Sequence, residues 1–114
     1  MLMSEDMMAN IEITPREVKE LLARDPKVLF VDVREKWEYD TARIAGSVLI
    51  PLGEIPANLQ RLENAEQVVF FCHHGMRSLD AAAWLRSQGV EGAQSMTGGI
   101  ERWSTEIDPS VPRY

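Results

Sequence analysis

The sequence predicts a single α/β domain layered on a mainly parallel sheet, and three observations carry that prediction. The runs Val28-Leu29-Phe30-Val31 and Gln67-Val68-Val69-Phe70-Phe71 are short and almost uninterruptedly apolar, as strands covered on both faces are. Stretches with apolar residues at helical spacing fall between such runs, so strands alternate with helices. The 114 residues show no internal repeat and no interdomain linker. That length suits one domain, which on folding covers roughly two-thirds of the surface its unfolded chain exposes.

The elements follow in order. Residues 1–10 are Met-rich and acidic without a steady period, and are expected to form a flexible N-terminal segment. The domain is expected over 11–108, with a Pro-rich C-terminal tail over 109–114. Ile11 and Ile13 alternate with Glu12 as in a short strand. Thr14-Pro15-Arg16-Glu17 has a capping hydroxyl, a proline suited to the first helical position and a glutamate three residues after the cap. Val18, Leu21 and Leu22 then supply one apolar helical face, and Asp25-Pro26 closes it. The run from Val28 to Val31 is a strand with polar Asp32 and Arg34 at its C-terminal end. One helical turn is expected around Trp37 and Tyr39, then a strand over Ser47-Val48-Leu49-Ile50 stopped by Pro51. Ile55, Leu59 and Leu62 mark a helical face, and the strand ending at Phe71 delivers Cys72. From Arg77 the chain reads as helix, with Ser78, Ala81, Ala82 and Leu85 on one face and Gly89 placed for a left-handed cap. A last short strand spans Ala93–Met96, followed by Thr97-Gly98-Gly99 and a helical segment with Ile100 and Trp103.

Composition narrows the function. With 45% hydrophobic and 26% charged residues the chain falls in the ordinary globular range, which excludes a disordered chain and a membrane span. Eighteen acidic against twelve basic residues give a formal charge of −6, the wrong sign for a nucleic-acid partner. The N-terminal residues lack the apolar core of a signal peptide, so the cytoplasm is the expected location. The single cysteine excludes an intramolecular disulfide and a multi-cysteine metal site, leaving filler or a working thiol.

The context of Cys72 favours the thiol. In Phe71-Cys72-His73-His74-Gly75-Met76-Arg77-Ser78 a strand ends, a glycine-containing turn follows and a helix begins within five or six residues. The C-terminal edge of a parallel sheet is where ligands bind. Successive turn amides and a helix N-terminus present partial positive charge there, which stabilises an anionic sulfur. A cysteine serving only as a small buried hydrophobe needs neither the glycine nor the arginine. No metal and no cofactor is expected: Cys72, His73 and His74 are consecutive and cannot readily surround one ion, and no other histidine exists. Arg77 has two readings left open here, a solvated residue of the first helical turn or a group that attracts an anionic substrate.

These segments together resemble the rhodanese-like sulfurtransferase family. The resemblance is carried by Val31-Asp32-Val33-Arg34-Glu35 with Trp37-Glu38-Tyr39, by Arg43-Ile44-Ala45-Gly46-Ser47 leading to Ile50-Pro51, by the loop from Cys72 to Ser78, and by Gly98-Gly99 with Trp103. Each piece is weak alone, but the ordered set is specific and covers nearly the whole chain. It implies a single rhodanese-like domain, with a mainly parallel central sheet of about five strands and helices on both faces. It implies that Cys72 is the catalytic residue, attacking a sulfane sulfur on thiosulfate or a persulfide and carrying it as a cysteine persulfide. His73, His74, Gly75, Met76 and Arg77 would bind the transferred sulfur, chiefly through their amides, with Asp32, Arg34 and Ser78 in support. Asp32 and Arg34 are expected to pin loops rather than perform acid–base work, which attack by a thiolate does not need. The partners implied are a small sulfane-sulfur donor and a thiol or cyanide acceptor, with a protein acceptor as a further candidate. The chain departs from the family pattern at Arg43, where histidine is usual, and at Ser47, where alanine is. Both bear on surface recognition.

Two other functions compete. A phosphatase or arsenate reductase of the same fold needs arginine six residues after the cysteine, where this chain has Ser78 and carries Arg77 one position earlier. A docking module without activity would commonly lack the cysteine that this chain keeps.

Overall fold

The computed structural model describes residues 11–114, and the segment 1–10 expected to be flexible lies outside the described residues. Five strands form one all-parallel sheet in the order β1-β5-β4-β2-β3. They are β1 (Glu12–Ile13), β2 (Leu29–Asp32), β3 (Val48–Leu49), β4 (Val68–Phe71) and β5 (Ala93–Met96). Five α-helices accompany them among the described residues: α1 (Pro15–Arg24), α2 (Lys36–Thr41), α3 (Leu59–Glu63), α4 (Met76–Ser87) and α5 (Gly99–Glu106). The α/β class, the parallel sheet and the number of strands are as the sequence predicts.

Local chemistry accounts for the boundaries. The Thr14 hydroxyl accepts the Glu17 amide at 3.2 Å, and the Glu17 carboxylate accepts the Thr14 amide at 2.9 Å, so α1 starts at a reciprocal cap with Pro15 in its first turn. The apolar face read over Ile55, Leu59 and Leu62 is not one helix. Two 3₁₀ turns, Leu52–Glu54 and Pro56–Asn58, precede α3, because Pro56 has no amide hydrogen to continue a helical ladder. Ile55 and Leu62 are buried all the same. Gly89, just after α4, takes a φ of +96°, the left-handed turn expected there.

Strand alternation sorts the core onto two faces. Phe30, Val69 and Phe71 join Val18 and Leu21 of α1 and Ile100 and Trp103 of α5 on one face. Val31, Val68 and Phe70 join Leu62 of α3 and Ala81, Ala82 and Leu85 of α4 on the other. Cys72 continues the alternation of β4 onto the α4 side. The chain leaving β2 passes through α2 and delivers Ala42 and Ile44 to the opposite face. Between β2 and β4 the connections therefore diverge to opposite sides of the sheet, and the crevice opened at such a divergence is where this topology places ligands. Asp32 and Phe71 are register partners at its floor.

Candidate active site

Cys72 follows β4 directly and is 1% exposed. Its Sγ accepts the Gly75 amide at 3.1 Å and the Ser78 amide at 3.4 Å, and lies 3.4 Å from the Ser78 hydroxyl. The loop closes this tightly because Gly75 adopts φ +113°, a left-handed turn that aims its N–H back at the sulfur. The Ser78 hydroxyl also lies 3.2 Å from the Gly75 carbonyl and 2.7 Å from the Ser95 hydroxyl of β5. A hydroxyl has one proton, so Ser78 accepts from Ser95 and shares its own proton between the Gly75 carbonyl and the sulfur. The result is a set of donors converging on sulfur from fixed positions.

The outer side of the loop is held by α5. The Ile100 and Glu101 amides donate to the carbonyls of Cys72 and His73 at 2.9 and 3.2 Å. The loop's acceptors are thus turned toward a helix N-terminus. Gly98 and Gly99 have φ of +75° and +60°, and a Cβ on Gly99 would overlap the Cys72 and His73 carbonyls. The paired glycines are what let α5 come this close.

At the end of β2 an ionic cluster replaces backbone geometry. Arg34 and Asp32 are both inaccessible, and the guanidinium grips the carboxylate twice, Nε to Oδ1 at 2.9 Å and Nη2 to Oδ2 at 2.7 Å. Arg34 also donates to the Ala42 carbonyl at 2.6 Å, the Glu38 carbonyl at 3.3 Å and the Tyr114 hydroxyl at 2.9 Å. Burial works against its charge, but Asp32 and Tyr114 outweigh it and raise its pKa. Every side-chain nitrogen of Arg34 is committed, so the pair pins the loop around α2 and is sealed from solvent.

Arg77, in the first turn of α4, reaches across the crevice to α2. Its Nη1 and Nη2 donate to Glu38 Oε1 and Oε2 at 2.7 and 3.0 Å. Glu38 is 4% exposed, also accepts the Glu35 amide at 3.0 Å and receives the Tyr114 hydroxyl at 2.7 Å. The Arg77 bonds hold its carboxyl down at about 2 against the desolvation that opposes them. Desolvation above all pushes the Tyr114 phenol up to about 12. The Tyr114 ring stacks on His73 at 4.0 Å, and His73 stacks in turn on His74. Burial first, and His74 second, lower the His73 pKa.

The expected site residues thus fall into three groups. Cys72, Gly75 and Ser78 converge on the sulfur. Asp32 and Arg34 lie behind the floor, bonded to each other, and Arg77 stands over the crevice with its charge engaged. His73 stacks on Tyr114 and His74 on His73, and Met76 is 75% exposed. Three participants are not among the residues singled out from the sequence. Glu38 stood only as a member of Trp37-Glu38-Tyr39, although its place three residues after Glu35 is that of a helix-capping glutamate. Ser95 is a polar residue at an inward position of a strand, which a strict alternation count could have flagged. Tyr114 joins the site from 76 residues beyond Glu38, with no local signal.

Comparison with known proteins agrees with this geometry. The Rhodanese-like domain family matches residues 14–106, and the chain belongs to that family. A probable adenylyltransferase/sulfurtransferase of Mycobacterium tuberculosis, MoeZ, is 34% identical over 104 residues, covering 90% of this chain and 26% of that protein. This chain accordingly spans about a quarter of the length of MoeZ. The thiosulfate sulfurtransferase GlpE of Pseudoalteromonas translucida is 31% identical over 106 residues, covering 93% of this chain and all of that protein. The crystal structure of a rhodanese-related protein from Thermoplasma volcanium superposes with a TM-score of 0.75 at 30% identity, over 90% of this chain and 98% of that one.

Proposed function

We propose that this rhodanese-like domain is a sulfurtransferase that carries sulfur as a persulfide on Cys72. One observation carries the reading: the Sγ of Cys72, at the C-terminal end of the central strand β4, accepts two backbone amides and faces the Ser78 hydroxyl. Such preset donors stabilise negative charge on sulfur without reorganising during reaction. The relatives named as sulfurtransferases support the same class.

With thiosulfate as donor, the Cys72 thiolate attacks the sulfane sulfur. A new S–S bond forms to Cys72, the donor's S–S bond breaks, and sulfite leaves with the bonding pair. The outer sulfur then carries the negative charge, within reach of the loop amides from His73 to Arg77. In the second half-reaction a thiolate or cyanide attacks that outer sulfur, takes it as a persulfide or thiocyanate, and returns the Cys72 thiolate. Two half-reactions through one covalent intermediate predict ping-pong kinetics. With a single cysteine in the chain, discharge is left to an external acceptor. A persulfide donor and a protein acceptor fit the same scheme. The reading places the protein in a reducing compartment, the cytoplasm, where its thiol stays free. No described helix is long and apolar enough to cross a membrane.

The phosphatase alternative is not favoured, because the position that would need arginine is Ser78, directed at the sulfur, and Arg77 is bound to Glu38. Intact-mass spectrometry tests the proposal. Exposure to thiosulfate, and separately to glutathione persulfide, should add one sulfur that cyanide or a thiol removes and that Cys72→Ser never acquires. No gain from either donor would overturn it.

A further inference from the structure

Arg77 is the cation of the Cys72 loop, and its position over the crevice invites the idea that it draws anionic donors to the sulfur. The geometry points elsewhere. Each of its terminal nitrogens donates one N–H to the Glu38 carboxylate, so its charge is neutralised in a two-pronged pair. That carboxylate is buried and fixed from two further directions, by the Glu35 amide and the Tyr114 hydroxyl. Arg77 could offer an unbalanced positive charge to a bound anion only by moving off a buried carboxylate that would then lack its counter-charge, which is costly. The neighbouring ions are closed pairs as well: Arg34 with Asp32 behind the floor, and Arg113 with Glu101 in the first turn of α5. The Arg77–Glu38 pair over the crevice is therefore charge-balanced, while the Cys72 loop below it offers amides suited to a single anionic sulfur.

We infer that Glu38 is a specificity-determining residue, which by holding the Arg77 guanidinium sets the site against dianionic donors such as thiosulfate and in favour of persulfides of low net charge. This rests on the sulfurtransferase reading and names the substrate class within it. Glu38 lies on α2 and Arg77 on α4, so the pair bridges the two sides of the crevice and fixes its charge at the entrance. The strongly lowered carboxyl of Glu38 keeps the pair ionised at every physiological pH.

The test uses the full chain and the substitution Glu38→Gln, which keeps an acceptor for the Glu35 amide and removes the charge. Alkylation of Cys72 by anionic iodoacetate and neutral iodoacetamide, followed by intact mass, reads the charge of the mouth without any sulfur transfer. Freeing Arg77 should raise the iodoacetate-to-iodoacetamide rate ratio by roughly fivefold, the order expected for one unpaired charge near a surface site. The kcat/KM for thiosulfate should rise relative to that for cysteamine persulfide, through a lower KM at similar kcat. An unchanged ratio in a Glu38→Gln protein of native circular dichroism would overturn the inference. Should that variant not fold, the double variant Glu38→Gln, Arg77→Gln decides, because both are neutral in net charge at the mouth: a ratio equal to wild type supports the inference. A clear fall would show that Arg77 already attracts anions in the native protein and would overturn it. Absence of any persulfide on Cys72 would defeat the sulfurtransferase reading and leave the alkylation ratio standing.

Discussion

β2 and β4 lie side by side in the sheet and end at the same edge, yet they finish in opposite kinds of structure. After β4 the backbone does the work: a left-handed glycine aims amides at the Cys72 sulfur, and side chains other than Ser78 point elsewhere. After β2 the side chains do it: Asp32 and Arg34 form an inaccessible ion pair that binds the α2 loop through two carbonyls and the C-terminal residue through the Tyr114 hydroxyl. A cradle of amides presents donors to a single sulfur. A guanidinium with every side-chain nitrogen engaged presents none. The difference gives one strand end converging donors and its neighbour rigidity, and under the proposed sulfur transfer the buried arginine lies beside the reacting sulfur without touching it.

The contrast can be broken from either side. The largest effect on stability should come from Arg34→Met, which strands the Asp32 carboxylate in the interior and should cost about 3–5 kcal/mol in urea denaturation. Adding Asp32→Leu should recover much of that loss, since no buried charge then remains. If Arg34→Met were well folded and merely slower in persulfide formation, the arginine would belong to the chemistry after all. Next comes Gly99→Ala. The left-handed backbone alone costs about 1–2 kcal/mol for a residue with a Cβ. The methyl also collides with the Cys72 and His73 carbonyls, so the cradle must shift. Persulfide formation, followed by mass, should fall by tenfold or more, as displacements of about 1 Å can cost a hundredfold. Full activity in Gly99→Ala would show that the cradle tolerates movement. The smallest effect belongs to Ser78→Ala, with a stability loss of about 1 kcal/mol and a several-fold slower transfer. A stability loss with an unchanged transfer rate would reduce Ser78 to an anchor between Ser95 and the Gly75 carbonyl.

The two regions were unequally legible in the sequence. The cradle was readable because its parts are local: a strand, a cysteine, a glycine three residues on and a helix follow within one short segment, and free amides at the helix start face the sulfur. The clamp was readable only in its local half. Asp32 and Arg34 are two residues apart at a strand end, but Ala42 and Tyr114 reach them by tertiary packing. Arg77 shows the limit most clearly. Its place in the first helical turn fitted both a solvated residue and an anion recruiter, and the choice depended on Glu38, a residue 39 positions earlier on the opposite side of the sheet. The helix read through Ile55 failed for a local reason: the apolar spacing was right, but Pro56 cannot donate to a helical ladder.

By itself the sequence determined the class of the fold, the order of its strands and helices along the chain, and the position of the cysteine at the end of β4, because apolar period, capping residues and turn glycines act over a few residues. Tertiary structure alone decided the order of strands within the sheet, the partners of Arg34 and the engagement of Arg77 by Glu38. Those outcomes depend on charges and packed surfaces brought together across the crevice, and the free energy of pairing a buried charge is set by whatever lies beside it in space.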